Sequence, residues 1–123
     1  MIENVPGDFN TAAQMGELLD PLPELGLHLD IGHANLQTAC NTTEELLAAY
    51  GSRLRHVHLH DNKGGHADLH MPLGSGNVDV RGSLRALRKS GYDGTITLEV
   101  FTPDKCYLEH SRNLLRKIWN EVS

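Results

Sequence analysis

Short runs of β-strand character alternate along this chain with stretches of helical periodicity. Three runs of alternating or β-branched residues predict strands at 26–31, 55–60 and 95–100, and a shorter strand is predicted at 1–5. The resulting order, β-α-β-α-β-α-β-α, favours a parallel sheet covered by helices through right-handed crossovers. The predicted fold class is therefore α/β, with four parallel strands in a single domain over residues 1–123.

Capping patterns and breakers mark the predicted helices. A first helix is predicted over 10–20 and is ended by Pro21, and a second over 42–50 begins with a Thr-Thr-Glu-Glu capping-box pattern. A third is predicted over 80–89, and Asp104 can cap the last one. The residues expected to form the buried stripe of that last helix are Leu108, Leu115, Ile118, Trp119 and Val122.

Composition and charge exclude several classes of protein. No apolar run approaches the roughly 18 residues of a membrane span, and no export signal is visible. The net charge of −5 disfavours binding to nucleic acid phosphates. Cys40 and Cys106 stand alone, without a CxxC pair or a disulfide framework, which predicts a cytoplasmic protein.

Ionisable residues stand at the predicted carboxyl ends of all four strands. Glu3, Asp30 and Glu99 close the first, second and fourth strands, and His58 lies near the end of the third. Because function collects at this edge of parallel sheets, we expect the four side chains to converge. Three carboxylates would repel one another unless a cation joined them. The set therefore predicts a divalent metal site, suited to Mn²⁺, Mg²⁺ or Co²⁺, with Zn²⁺ as a further candidate.

The segment 62–79 is predicted to be a long, polar, glycine-rich loop. Loops of this length are usually functional or disordered. Asp68 and His70 could bind a second metal or contact a substrate, and the alternative is a surface loop with incidental histidines. Lys63 is a candidate contact for an anionic group of a substrate. His56 lies deeper in the third strand and is interpreted as a core imidazole or as one supporting the ligands.

Five short motifs follow one another along the chain. They are ENVPG at 3–7, LDIGH at 29–33, HLHDN at 58–62, DLHMPLG at 68–74 and LE at 98–99. In this order they resemble the motifs of the xylose isomerase-like TIM barrel superfamily, which contains sugar (phosphate) isomerases and epimerases, and apurinic-site nucleases of the endonuclease IV type. The resemblance implies a half TIM barrel, a (βα)4 unit whose strands correspond to strands five to eight of a (βα)8 barrel.

The same resemblance assigns roles to individual residues. Glu3 and Glu99 match the acid/base pair of the epimerases, and His33 matches a histidine that contacts substrate in the epimerases but binds metal in the nucleases. His33, Asp68 and His70 match the ligands of an additional zinc in the nucleases. The positions that match the metal ligands shared across the superfamily are Glu3, Asp30, His58 and Glu99.

The function predicted is that of a divalent-metal-dependent sugar (phosphate) isomerase or epimerase, in which a glutamate pair moves a proton beside a carbonyl. The alternatives are an apurinic-site nuclease and a catalytically silent half-barrel fragment. An open four-stranded sheet has two unpaired edges, which favours a homodimer or higher assembly that closes the barrel. Pairing with a separate N-terminal half is the alternative to self-association.

Overall fold

Four parallel strands form one sheet in chain order in the computed structural model, which describes residues 1–122. The strands are Ile2–Glu3 (β1), Leu27–Asp30 (β2), Leu54–Leu59 (β3) and Ile96–Leu98 (β4). Each pairs in parallel with the next. The predicted α/β class and strand order are confirmed. The first, second and fourth strands are shorter than predicted, and the third has the predicted length but begins one residue earlier.

Four helices follow the strands and cover one face of the sheet. They are Ala12–Leu19 (α1), Thr43–Tyr50 (α2), Val80–Lys89 (α3) and Lys105–Glu121 (α4). Short 3₁₀ turns at His33–Asn35 and Gly51–Arg53 complete the connections. None of the described helices is long and apolar enough to cross a membrane.

The predicted capping patterns hold at one helix and fail at another. Asp104 accepts a hydrogen bond from the Cys106 N–H, which confirms the predicted cap of α4. The capping box predicted at Thr42 is wrong, since the Thr42 side chain makes no capping hydrogen bond. The Asn41 side chain accepts from the Thr43 N–H instead, which satisfies one of the free amide groups at the start of α2.

The two faces of the central strands differ in chemistry. Leu27 and Leu29 of β2 are buried in the apolar core with residues of α2 and α3. The alternate residues His28 and Asp30 lie on the other, inward face, because strand side chains alternate. In register, Asp30 pairs with His58 of β3. The sheet therefore presents an apolar face to the helices and an imidazole- and carboxylate-rich face on its opposite, inward side.

The buried stripe predicted for α4 is correct at its C-terminal end only. Ile118 and Val122 are buried, and Leu115 and Trp119 pack partly against the core. Leu108, by contrast, is 39% exposed. Among the described elements α4 packs mainly on α3 and on β4, and β4 is an edge strand, so the first turns of α4 extend beyond the sheet.

Candidate metal centre

Four side chains from the four strand ends converge at the inward edge of the sheet. One ligand atom each from Glu3, Asp30, His58 and Glu99 lies within 4.8 Å of the other three. His58 Nδ1 is 3.3 Å from Glu3 Oε1, 3.2 Å from Glu99 Oε2 and 3.8 Å from Asp30 Oδ2. The structure thus brings together the four residues that the strand-end pattern singled out.

Hydrogen bonds fix the backbone at two of the carboxylate residues, Asp30 and Glu99. The Asp30 N–H donates to the side-chain oxygen of the buried Asn4, and the Asn4 amide donates back to the Asp30 carbonyl. Glu99 directly follows β4, and its N–H donates to the Leu59 carbonyl. The backbones of the second and fourth ligand positions are therefore tied to neighbouring segments, so they are held before any ligand arrives.

The negative charges and the unpaired buried atoms of the cluster favour a bound cation. Burial, followed by the negative charge of Asp30, raises the pKa of Glu3. Burial would also raise the pKa of Asp30, but the close approach of His60 Nε2, 2.9 Å from Asp30 Oδ1, and the charges of His60 and His33 outweigh burial and lower that pKa to about 2. Asp30 Oδ2 and His58 Nδ1 are buried without a hydrogen-bond partner. Such orphaned atoms are costly, and a divalent ion between them would satisfy both.

A second cluster surrounds Asp68. The Nε2 atoms of His33 and His70 each lie 3.1 Å from Asp68 Oδ2, so the structure brings the predicted trio together. It adds His60, whose Nδ1 lies 3.8 Å from Asp68 Oδ1. One ligand atom from each of the four residues lies within 4.8 Å of the other three.

The histidines of the second cluster are oriented through their other ring nitrogens. His33 Nδ1 is 2.9 Å from the Asn4 carbonyl oxygen, and His70 Nδ1 is 2.8 Å from the Glu99 carbonyl oxygen. With each Nδ1–H donated to a carbonyl, Nε2 carries the lone pair of the neutral ring. Two lone pairs then face the same carboxylate, an arrangement that a cation or extra protons must bridge.

A buried carboxylate holds the C-terminal part of the loop 62–79, and backbone hydrogen bonds between Asp61 and Met71 hold its middle. Asp61 accepts hydrogen bonds from the backbone N–H groups of Gly74, Gly76 and Val78. The loop therefore has a fixed path that carries Asp68 to the site. Lys63, the predicted substrate contact, is exposed at the start of this loop.

Sequence reasoning assigned no specific role to two histidines near these centres. The buried His60 has its Nε2 2.9 Å from Asp30 Oδ1, and His28 Nε2 lies 3.9 Å from Glu3 Oε1. Both are two residues from a predicted ligand, and this period-two spacing was the signal that could have identified them. Burial, followed by the charges of His58 and His56, lowers the pKa of His28 to about 4.

The chain also matches a known protein family. The model of the family described as "Xylose isomerase-like TIM barrel" matches residues 1–118. The chain belongs to this family. A ketose 3-epimerase from Arthrobacter globiformis is 33% identical over 115 residues, which are 90% of this chain and 37% of the relative.

Two solved structures superimpose on almost the whole chain. A D-tagatose 3-epimerase-like protein matches with a TM-score of 0.80 and 32% identity, over 98% of this chain and 46% of that protein. A Thermus thermophilus protein from crystals soaked with ZnCl₂ matches with a TM-score of 0.66 and 26% identity, over 94% of this chain and 43% of that one. The chain thus spans less than half the length of these relatives, which confirms the predicted half barrel.

Proposed function

We propose that this chain carries the metal centre of a divalent-metal-dependent sugar (phosphate) isomerase or epimerase. The observation that supports this most directly is the convergence of Glu3, Asp30, His58 and Glu99, with buried ligand atoms that have no hydrogen-bond partner. The similarity to a ketose 3-epimerase and to a D-tagatose 3-epimerase-like protein supports the sugar substrate class.

The two glutamates act in this proposal as the acid/base pair. Glu3 belongs to the first strand of the sheet and Glu99 follows the last, so their carboxylates approach the centre from opposite ends of the sheet. One carboxylate removes the proton beside the sugar carbonyl on one face of the carbon, and the other returns it on the opposite face. A bound divalent cation would supply Lewis acidity toward the sugar oxygens.

The remaining site residues serve substrate binding and the choice of ion. His33 contacts a sugar hydroxyl, and Lys63 contacts a phosphate where the sugar carries one. Three carboxylates with one imidazole suit Mn²⁺, Mg²⁺ or Co²⁺, and Zn²⁺ is also compatible with the set.

Direct metal measurement tests this proposal. Equilibrium dialysis of the purified chain against Mn²⁺ should retain one ion per chain, and proton exchange beside the carbonyl of a ketose should depend on that ion. Retention of no ion at millimolar Mn²⁺ would overturn the proposal and leave a catalytically silent half barrel.

A second candidate function, cleavage of DNA at apurinic sites, is favoured by one observation. The His33, Asp68 and His70 trio matches the additional zinc site of the nucleases, and its ligand atoms lie together here. The net charge of −5 opposes this function, because a DNA-binding groove needs a basic surface. Two or three bound zinc ions with nicking of an abasic duplex would favour the nuclease, and nicking absent across zinc concentrations would exclude it.

Closure of the barrel requires a partner for the open sheet. Beside β4, a groove is lined by Ile96, Leu98, Leu108 and Leu115 together with four charged residues of α4. The outer edges of β1 and β4 have no neighbouring strand within residues 1–122. We propose that a second copy of the chain covers them in a homodimer, with a separate N-terminal half as the alternative occupant.

A further inference from the structure

Two imidazoles form a layer directly below the carboxylate centre and lie against His58 of that centre. In register, His28 pairs with His56 just as Asp30 pairs with His58, so His28 and His56 lie one pleat below. The His28 ring centroid is 4.1 Å from that of His58 and 5.1 Å from that of His56. The interior layers of (βα)8 barrels are dominated by bulky branched residues. A layer of imidazoles is therefore a departure that apolar packing does not explain.

The three rings can direct nitrogens at a common point. One ring nitrogen from each of His28, His56 and His58 lies within 4.8 Å of the other two. His28 Nε2 is buried and has no hydrogen-bond partner. An unsatisfied buried nitrogen is costly to a fold, so a ligand that engages it is favoured.

His56 is held by two threonine hydroxyls. Its Nε2 is 2.9 Å from Thr97 Oγ1, and its Nδ1 is 3.1 Å from Thr95 Oγ1. Ligating histidines are commonly oriented by a hydrogen bond on the second ring nitrogen. One threonine hydroxyl can keep its hydrogen bond to the His56 ring. The other hydroxyl, which belongs to an exposed residue, can turn to water and leave the second ring nitrogen for a cation.

We propose that His28, His56 and His58 form a second, all-nitrogen cation site that competes with the carboxylate centre for His58. Imidazole ligands suit Zn²⁺, Ni²⁺ and Cu²⁺, whereas Mg²⁺ and Mn²⁺ prefer oxygen. A neutral imidazole has a single lone-pair nitrogen, so His58 serves one cation at a time. Occupation of this imidazole layer therefore weakens Mn²⁺ binding above it. The competition, but not the binding itself, rests on the proposed function.

Displacement of Mn²⁺ by Ni²⁺ tests the competition. The parent protein is the full chain with His70→Gln, which removes one ligand of the Asp68 cluster. Released Mn²⁺ is measured by the EPR signal of the free ion. In His28→Gln and His56→Gln, we expect the Ni²⁺ concentration that releases half of the bound Mn²⁺ to rise about tenfold or more. His110→Gln, which changes an exposed histidine of α4, should match the parent. Equal midpoints in all four proteins would overturn the proposal.

The number of bound nitrogens provides a readout that does not depend on the carboxylate centre. With Cu²⁺ as the probe, the EPR superhyperfine pattern of the parent should report three nitrogens, and fewer in either variant. The same nitrogen count in the parent and in both variants would overturn the site. A parent count below three would also overturn it, and this result does not depend on how well a variant folds. If Glu99→Gln abolishes the Cu²⁺ pattern, the copper sits in the carboxylate centre and the proposal fails. If the parent retains no Mn²⁺ but shows three nitrogens on Cu²⁺, the proposed function fails and the imidazole site stands.

Discussion

Substitution of Glu99 tests whether the strand-end cluster binds a metal ion. Its Oε2 lies 3.2 Å from His58 Nδ1, and its backbone is fixed by the hydrogen bond to Leu59. Glu99→Gln replaces an anionic ligand by a neutral amide of the same shape. We expect Mn²⁺ affinity to fall about a hundredfold and proton exchange to be lost, measured by equilibrium dialysis and by solvent-deuterium incorporation into a ketose.

Glu109 provides the matched control for this change. It lies on α4 and is exposed, so Glu109→Gln makes the same chemical change away from the centre and should leave Mn²⁺ binding intact. Metal content untouched by Glu99→Gln would show that the ligand assignment is wrong.

At the residue scale, the convergence of the strand-end side chains could be predicted from the sequence, because one rule applied to every strand. Glu3, Asp30 and His58 were found because a polar residue at a strand end stands out against an apolar run. His28 and His60 were given no role, because each lies two residues from a predicted ligand. The histidine-rich pattern does not distinguish which of its histidines contact the site. The role of Asp61 had no local signal, since three of the four backbone N–H groups that donate to its carboxylate lie more than ten residues later in the chain.

At the scale of elements, the long loop depends on the Asp61 carboxylate. Asp61 is fully buried and accepts from three distant backbone N–H groups. Asp61→Asn keeps the shape but turns part of the acceptor into a donor that faces other donors. We expect a loss of about 2–3 kcal/mol in the free energy of unfolding, measured by urea denaturation.

The same substitution should loosen the loop before the whole chain unfolds. Cleavage within 62–79 under limited proteolysis should accelerate in Asp61→Asn, whereas Asp8→Asn, which changes an exposed aspartate, should behave like the unmodified chain. If both variants were cleaved at the same rate, the loop would be held by something other than Asp61.

The helix and strand order was predictable because two periodicities alternate without interruption. The start of α2 was not, because the backbone of Thr42 has φ −90° and ψ 5°, outside the extended conformation of a typical N-cap. There the preceding asparagine supplies the acceptor, and a Thr-Thr-Glu-Glu pattern cannot reveal that exchange.

At the scale of the whole molecule, the inward face of the sheet concentrates its charge and chemistry while its two edges remain open. Glu3 and Glu99 lie on the two edge strands or directly after them, so both proposed proton-transfer groups border the surface that a partner would cover. In the proposed function, assembly and catalysis are therefore linked, because closure of the barrel would exclude water from both glutamates and enclose the substrate.

Light scattering coupled to size exclusion tests this assembly. At about 100 µM chain we expect the mass of a dimer, because an apolar groove beside an unpaired strand edge favours association. Leu108 is 39% exposed and lines that groove, so Leu108→Asp should place a charge in the interface and give a monomer. Leu22 is 47% exposed and lies before β2, outside the groove. Leu22→Asp should therefore remain a dimer. A monomeric unmodified chain would leave the separate N-terminal half as the partner, and a dimeric Leu108→Asp would move the interface away from β4.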